Sequence, residues 1–299
     1  MELTVLGSGG FMPFPELAVP AFVVRRQGVS YLLDAGEGTQ LRMAETEESR
    51  TGLETIFISH MHGDHTLGLP GVLIRRSQEG CVEPLHIVGP ALLKDYVEVV
   101  QRTLQFKIKF DIRFTELNGS ELHTFSKVWV GTVPLQHRME NYGYVLGARG
   151  RKRKFHPEKA KKIGIPQGPL WGKLQNGHEI ELDNGRVVEP KEVSDPPPKG
   201  PKIVYITDTR PLFDYPEGFY EPDLLLHEAM FLEKHREHAE KKFHSTALEA
   251  ARVASHLEAK SLLLTHRSRR YNDPQVLVKE AKSEFAEVAM AYDGMKLSL

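Results

Sequence analysis

The stretch "SHMHGDH" (59–65) places four metal-ligand side chains within six residues, His60, His62, Asp64 and His65 in the pattern H-x-H-x-D-H. Residues two apart on an extended segment point the same way, so His60 and His62 face one point. Asp64 and His65 follow in the turn and can face a second point beside it. Without a cation to hold, these groups would strain or repel one another. A pair of divalent ions accounts for them. Two metals about 3.5–4 Å apart can hold both oxygens of a phosphodiester displacement.

A dinuclear site needs further ligands from other strand ends. His137 follows "VWVGTVPLQ", Asp208 follows "KIVYIT", and His266 follows "SLLLT". Each comes after an apolar run and so falls at a sheet edge, where loops build sites. We expect His60, His62 and His137 on one ion, Asp64, His65 and His266 on the other, and Asp208 bridging. Asp34, at the end of "YLLD", is expected to accept a histidine N–H. These donors suit zinc, two per subunit, while manganese or iron would fit the same set.

The elements that must position these residues alternate along the chain. Strand patterns occupy 3–7, 21–26, 30–36, 55–60, 85–89, 111–117, 128–135, 142–147, 202–208, 223–229 and 261–266, and helical periodicity fits 91–105, 245–258 and 274–285. Ser245 is the expected N-cap of the second helix. Several strands are almost wholly apolar, as in sheets covered on both faces. The expected class is α/β, an αββα sandwich of two packed sheets with helices outside.

Composition narrows the setting. No apolar run approaches the ~20 residues that span a bilayer, and "MELTVLGSGG" reads as a strand rather than a signal peptide. The single cysteine, Cys81, excludes an internal disulfide and thiol-based zinc sites. A cytoplasmic protein with no membrane partner is expected. Histidines 86, 123, 156, 178, 235, 238 and 256 read as solvated.

One segment departs from this rhythm. "RGRKRKFHPEKAKK" (149–162) holds eight Lys or Arg and one acid, in a chain whose net charge is −1. Gly- and Pro-rich sequence follows, ending in "SDPPPKGP", which reads as a stiff tether. Strand patterns resume on either side. We therefore expect 1–147 and 202–299 to be two halves of one domain and 148–201 to be an inserted, projecting basic arm. Lys and Arg there would neutralise phosphates, giving salt-sensitive affinity without sequence preference.

The H-x-H-x-D-H pattern with its distant partners resembles the metallo-β-lactamase superfamily, which implies the αββα fold. Further stretches, "DAGEGTQ" (34–40), "GLPGVL" (68–73), "TDTRP" (207–211), "HEAMF" (227–231), "FHSTA" (243–247) and "THRSRRY" (265–271), resemble motifs of ribonuclease Z. That resemblance implies a zinc-dependent endoribonuclease that removes 3′ trailers from precursor tRNA and leaves a 3′-hydroxyl. It also implies that Glu228 and His244 form the proton donor to the leaving oxygen, that Asp64 takes the proton of the attacking water, and that subunits pair as homodimers. It makes 148–201 the arm that grips tRNA, through Arg151, Lys152, Arg153 and Lys154, with Gly168 and Pro169 shaping its tip. Trp171 would pack beneath.

Two places depart from that family. Its N-terminal loop P-x-K-x-R-N is here "PFPELA" (13–18), so Pro15, Leu17 and Ala18 replace Lys, Arg and Asn. Met230 stands where Thr is usual. A related dinuclear metallohydrolase acting on another phosphodiester is the alternative, although it should lack the arm. A lactonase or glyoxalase II would lack His244, Glu228 and the basic insertion.

Overall fold

The apolar runs become two seven-stranded sheets. In the computed structural model, which describes residues 1–48, 52–149, 153–196 and 199–299, the chain divides into two compact units. Met1–Gly147 with Pro201–Leu299 forms one, and Ala148–Gly200 the other.

In the larger unit the first sheet carries strands Glu2–Gly7, Ala21–Arg26, Val29–Leu33, Leu53–Phe57, Leu85–Gly89 and Ile112–Glu116, with Lys296–Ser298 at one edge. The last four from Val29 onward run parallel. The second sheet carries Leu122–Thr124, Val128–Pro134, Tyr142–Ala148, Lys202–Ile206, Leu224–Glu228, Leu262–Thr265 and Val288–Met290. Its last four strands are also parallel, in register Ile206↔His227↔Leu264.

The sheets meet through aromatic side chains. Phe22 packs on Tyr205 and Phe57 on Tyr144, each pair with ring centroids 5.3 Å apart. The outer face of the first sheet, with Leu32, Ile56 and Ile87, packs on Leu69, Val72 and Leu73 of helix Leu69–Gln78 and on Leu93 and Val97 of helix Leu93–Leu104. The outer face of the second, with Val204, Leu225 and Leu264, packs on the Ala250, Ala251 and Ala254 stripe of helix Ala247–His256 and on Leu277 of helix Gln275–Ala281. Small alanines let that helix lie close on the sheet. The layers are α, β, β, α.

Local details differ from the sequence reading. Thr246, not Ser245, caps helix Ala247–His256: its hydroxyl accepts from Glu249 N while the Glu249 side chain accepts from Thr246 N. Ser245 turns inward and donates to Thr209 O. The capping box sits one residue later because Glu249 occupies the third helical position only in that register. His86, His123, His156 and His235 are half-buried rather than solvated, against Thr115, Glu121, Asp195 and Tyr271 respectively. Cys81 is buried and free.

The smaller unit is built around its own apolar cluster of Ala160, Ile165, Leu174, Ile180, Val188 and Val193. Helices Pro157–Ile163, Pro169–Gln175 and Pro190–Val193 surround it, with two short strand pairs. Each helix begins on proline, whose missing N–H costs nothing in the first turn. The first ends at Gly164, in the left-handed conformation that favours glycine there (φ 84°). The supposed tether starts with strand Ser194–Asp195, paired to Lys154–Phe155. Among the described residues no helix is long and apolar enough to cross a membrane.

Candidate metal centre and proton donor

Parallel strands bring their C-terminal ends to one edge, which is where loops of this kind form sites. Asp34 leaves the Val29–Leu33 strand and Ser59–His65 leaves Leu53–Phe57. From the facing sheet, Asp208 follows Lys202–Ile206, Glu228 ends Leu224–Glu228, and His266 follows Leu262–Thr265. All seven residues expected to hold metal come together.

His60 Nε2 lies 3.0 Å from His62 Nδ1, His137 Nε2 lies 3.3 Å from the same atom, and Asp208 Oδ2 lies 3.6 Å from His60 Nε2. Zinc–nitrogen bonds of about 2.05 Å at tetrahedral angles put donors roughly 3.3 Å apart. The observed spacings match. On the other side, His266 Nε2 is 3.3 Å from Asp64 Oδ2, and Asp208 Oδ1 is 3.1 Å from His266 Nε2 and 3.4 Å from His65 Nε2. The two oxygens of Asp208 thus turn one to each donor set, the arrangement a bridging carboxylate requires.

Three of the imidazoles, His60, His65 and His137, are oriented from behind. Asp34 accepts from Ser59 N (2.7 Å) and Ser59 Oγ (2.9 Å), from His65 Nδ1 (2.7 Å) and from Tyr205 Oη (2.6 Å). Ser59 Oγ, its proton given to Asp34, accepts from His60 Nδ1 at 3.0 Å. His137 Nδ1 donates to Phe243 O at 3.1 Å. These bonds fix tautomers that leave Nε2 of His60, His65 and His137 with a lone pair directed into the site. His65 Nε2 is buried and makes no well-formed hydrogen bond.

Electrostatics favour a cation. Burial lowers the pKa of His60 (well below its ordinary value), His62 and His137, so they are neutral donors. Burial also opposes charge on His65, but Asp34, Asp64 and Asp208 override it and push its pKa well above the usual range. Three carboxylates around one buried imidazole call for positive charge, which a divalent ion supplies. The residues fit such a metal.

The backbone is shaped for the same end. Asp34 (φ 56°) and His266 (φ 54°) sit in the left-handed region, and so does Phe11 (φ 76°). Phe11 N donates to Asp64 Oδ2 at 2.7 Å. A Cβ on Gly10 would lie 2.5 Å from His266 Cε1, so only glycine lets that loop back against the ring.

Glu228 and His244 are joined as the resemblance implied. His244 Nδ1 donates to Glu228 Oε1 at 2.9 Å. Fully buried Glu228 also accepts from Thr209 N at 2.9 Å and Met230 N at 3.2 Å. Burial lowers the His244 pKa, but Glu228 outweighs it and, with Asp208 and Asp64, raises it to about 9. His244 lies against the rings of His137 and His266, at 5.6 and 5.5 Å between centroids. Its backbone is held by Arg210, which donates to His244 O and also pairs with Glu249. Sequence reading missed this clamp, although Arg210 belongs to the quoted "TDTRP".

One cavity of about 830 Å³ holds His62, Asp64, His137, Asp208, His244 and His266. In the smaller unit, Arg153 is half-buried and donates to Ser194 Oγ at 2.8 Å, whereas Lys154 is exposed. Gly168 and Pro169 open helix Pro169–Gln175, and Trp171 packs on Phe155 at 5.2 Å. Arg151 and Lys152 lie outside the described residues.

Known proteins resemble this chain over its full length. It is 37% identical over 300 residues to ribonuclease Z of Methanosarcina acetivorans, covering 100% of this chain and 98% of the relative. It is 34% identical over 302 residues to ribonuclease Z of Treponema denticola, with 100% and 98% covered. The crystal structure of human tRNase Z, short form, superposes with a TM-score of 0.71 at 27% identity, covering 100% of this chain and 99% of that one. The metallo-β-lactamase fold protein YhfI from Bacillus subtilis superposes with a TM-score of 0.68 at 20% identity, covering 99% and 98%, which speaks for the fold. A family model described as Anti-Pycsar protein Apyc1 matches residues 1–142. With two sheets of metallo-β-lactamase fold, a cluster of His and Asp side chains able to hold metal at their edges, and full-length likeness to its members, the chain belongs to the ribonuclease Z family.

Proposed function

We propose that this protein is a metal-dependent endoribonuclease that removes 3′ trailers from precursor tRNA and leaves a 3′-hydroxyl. The observation that carries this reading is the Glu228–His244 pair beside two donor sets in one cavity. Cleavage that leaves a 3′-hydroxyl must protonate a poor alkoxide leaving group. A histidine kept charged by a buried carboxylate is suited to that task.

His60, His62 and His137 would hold one divalent ion, Asp64, His65 and His266 a second, with Asp208 shared. Zinc suits these donors best, at two per subunit. Bound there, divalent ions would supply nucleophilic water at neutral pH and neutralise charge on the phosphate. Asp64 takes the proton of the attacking water. His244 delivers a proton to the departing 3′ oxygen, while Glu228 fixes the ring and stabilises its charge. Phe11 N steadies Asp64, and Asp34 holds His65 and Ser59 in place.

Residues 148–201 act as the arm that grips tRNA. Lys154, Lys159, Lys161, Lys162 and Lys173 are exposed, and none makes an ion pair among the described residues. Free cations of this kind meet backbone phosphates without reading bases. Arg153, bound to Ser194, serves the arm's own structure more than the substrate. We place the enzyme in the cytoplasm as a homodimer.

A related metallohydrolase acting on another phosphodiester is the second reading, favoured by two observations. The Apyc1 model matches residues 1–142, ahead of the arm, and loop 13–18 has no Lys or Arg. Incubation with precursor tRNA, with and without an encoded CCA, separates the two. A single cut at the 3′ boundary of the mature tRNA body is expected. An intact precursor alongside rapid turnover of a small phosphodiester would instead favour the second reading.

A further inference from the structure

The loop that lacks the family's cations is not featureless. Phe11 is 77% exposed and Met12 50% exposed, and both line the cavity with Pro13 and Phe14. Large apolar side chains left in water at the mouth of a polar site call for a ligand. Phe11 also adopts a positive φ of 76°, unusual for a bulky residue. Its amide is tied to Asp64 at 2.7 Å, so the ring's root is fixed relative to the centre. Phe14 is equally anchored, because Phe14 and Leu17 exchange backbone hydrogen bonds of 2.9 and 3.1 Å.

Opposite lies Arg269, whose guanidinium carbon sits 3.7 Å from the Phe14 ring centroid. Arg269 is exposed, lines the same cavity and has no ion pair among the described residues. Arg138, Lys242 and Arg270 share that lining and likewise have no acidic partner there. The mouth therefore combines flat apolar and guanidinium surfaces with a rim on which Arg138, Lys242 and Arg270 outnumber the one exposed acid, Glu37. Bases of unpaired nucleotides stack on both kinds of surface, while the rim suits their phosphates.

We propose that Phe11, Phe14 and Arg269 form a stacking site for the base of an unpaired nucleotide adjoining the scissile phosphodiester. The site rests on the endoribonuclease reading and deepens it. Here recognition of the RNA end moves from charge on residues 13–18 to stacking between that loop and Arg269. Neither surface suffices alone: Phe14 packs under Arg269, and Phe11 presents the open ring.

The test uses precursor tRNA carrying an abasic nucleotide on one side of the cut or the other. For the wild-type enzyme, base removal at one of the two positions should raise KM about 5- to 150-fold, the range for loss of one base–aromatic stack. Phe11→Gly keeps the amide and relieves the backbone, and Arg269→Ala removes the guanidinium. Each should raise KM by a similar factor on base-bearing RNA, yet converge with wild type on RNA abasic at the sensitive position. Phe11→Tyr should restore KM. The proposal fails if neither abasic substrate differs from the intact one, or if both variants weaken all three RNAs equally. Failure of wild type to cut any precursor would overturn the parent reading, and this site with it.

Discussion

The two units of the chain handle charge in opposite ways. In the two-sheet unit, His60, His65, Asp208, Glu228 and His266 are buried, and every one lies beside another ionisable group. In the 148–200 unit, Lys154, Lys159, Lys161, Lys162 and Lys173 stand in water, with no ion pair among the described residues. Buried charge costs a great deal unless matched, and that cost is met during folding so the site is organised before substrate arrives. Exposed charge costs little and yields a broad, screened attraction. One unit pairs its charges inside the fold and the other leaves these lysines in water.

Damage to the buried unit should therefore be severe and specific to a chemical step. His244→Ala is expected to lower kcat on precursor tRNA by about 10²–10⁴-fold, the usual share of a general acid, with metal content unchanged. On bis(p-nitrophenyl) phosphate, whose leaving group needs no proton, the loss should be far smaller. Steady-state kinetics on both substrates, with metal analysis, checks this. Equal loss on both would sink the acid assignment.

Next in size is Asp34→Asn, which keeps the shape but sets an amide NH2 against either Ser59 N or the Ser59 Oγ, His65 and Tyr205 donors. Metal affinity should fall about 10–100-fold, read by competition with a chromogenic chelator. An unchanged affinity would mean that Asp34 is structural only.

The smallest effect is expected in the exposed unit. Replacing Lys159, Lys161 and Lys162 together by Gln should weaken tRNA binding and lower the slope of log affinity against log salt by roughly 0.7–0.9 for each phosphate no longer neutralised. Binding titrations at several salt concentrations measure it. An unaltered slope would remove these lysines from the interface.

The same contrast explains what could be read from sequence. His60, His62, Asp64 and His65 are adjacent, and His137, Asp208 and His266 each close an apolar run, so strand ends alone predicted the cluster. The Glu228–His244 pair followed from motif likeness. The helices of residues 148–200 stayed hidden because the prolines at their starts, and Gly164 at the end of the first, look like loop composition, although both are helix boundaries. Phe14 and Arg269 stack although they stand near opposite ends of the chain, and no local pattern marks such a pair. The Thr246 cap was missed by one residue, within the usual fraying of helix ends.

The most direct test of this division is removal of residues 150–198. Strands Tyr142–Ala148 and Lys202–Ile206 are antiparallel neighbours paired at Gly147↔Lys202, so a short turn can rejoin them without disturbing the sheet. The shortened protein should lose cleavage of precursor tRNA through a raised KM with a flattened salt dependence, yet hydrolyse bis(p-nitrophenyl) phosphate at close to the full-length rate. Equal loss on both substrates, with the fold intact by circular dichroism, would contradict the separation of grip from chemistry.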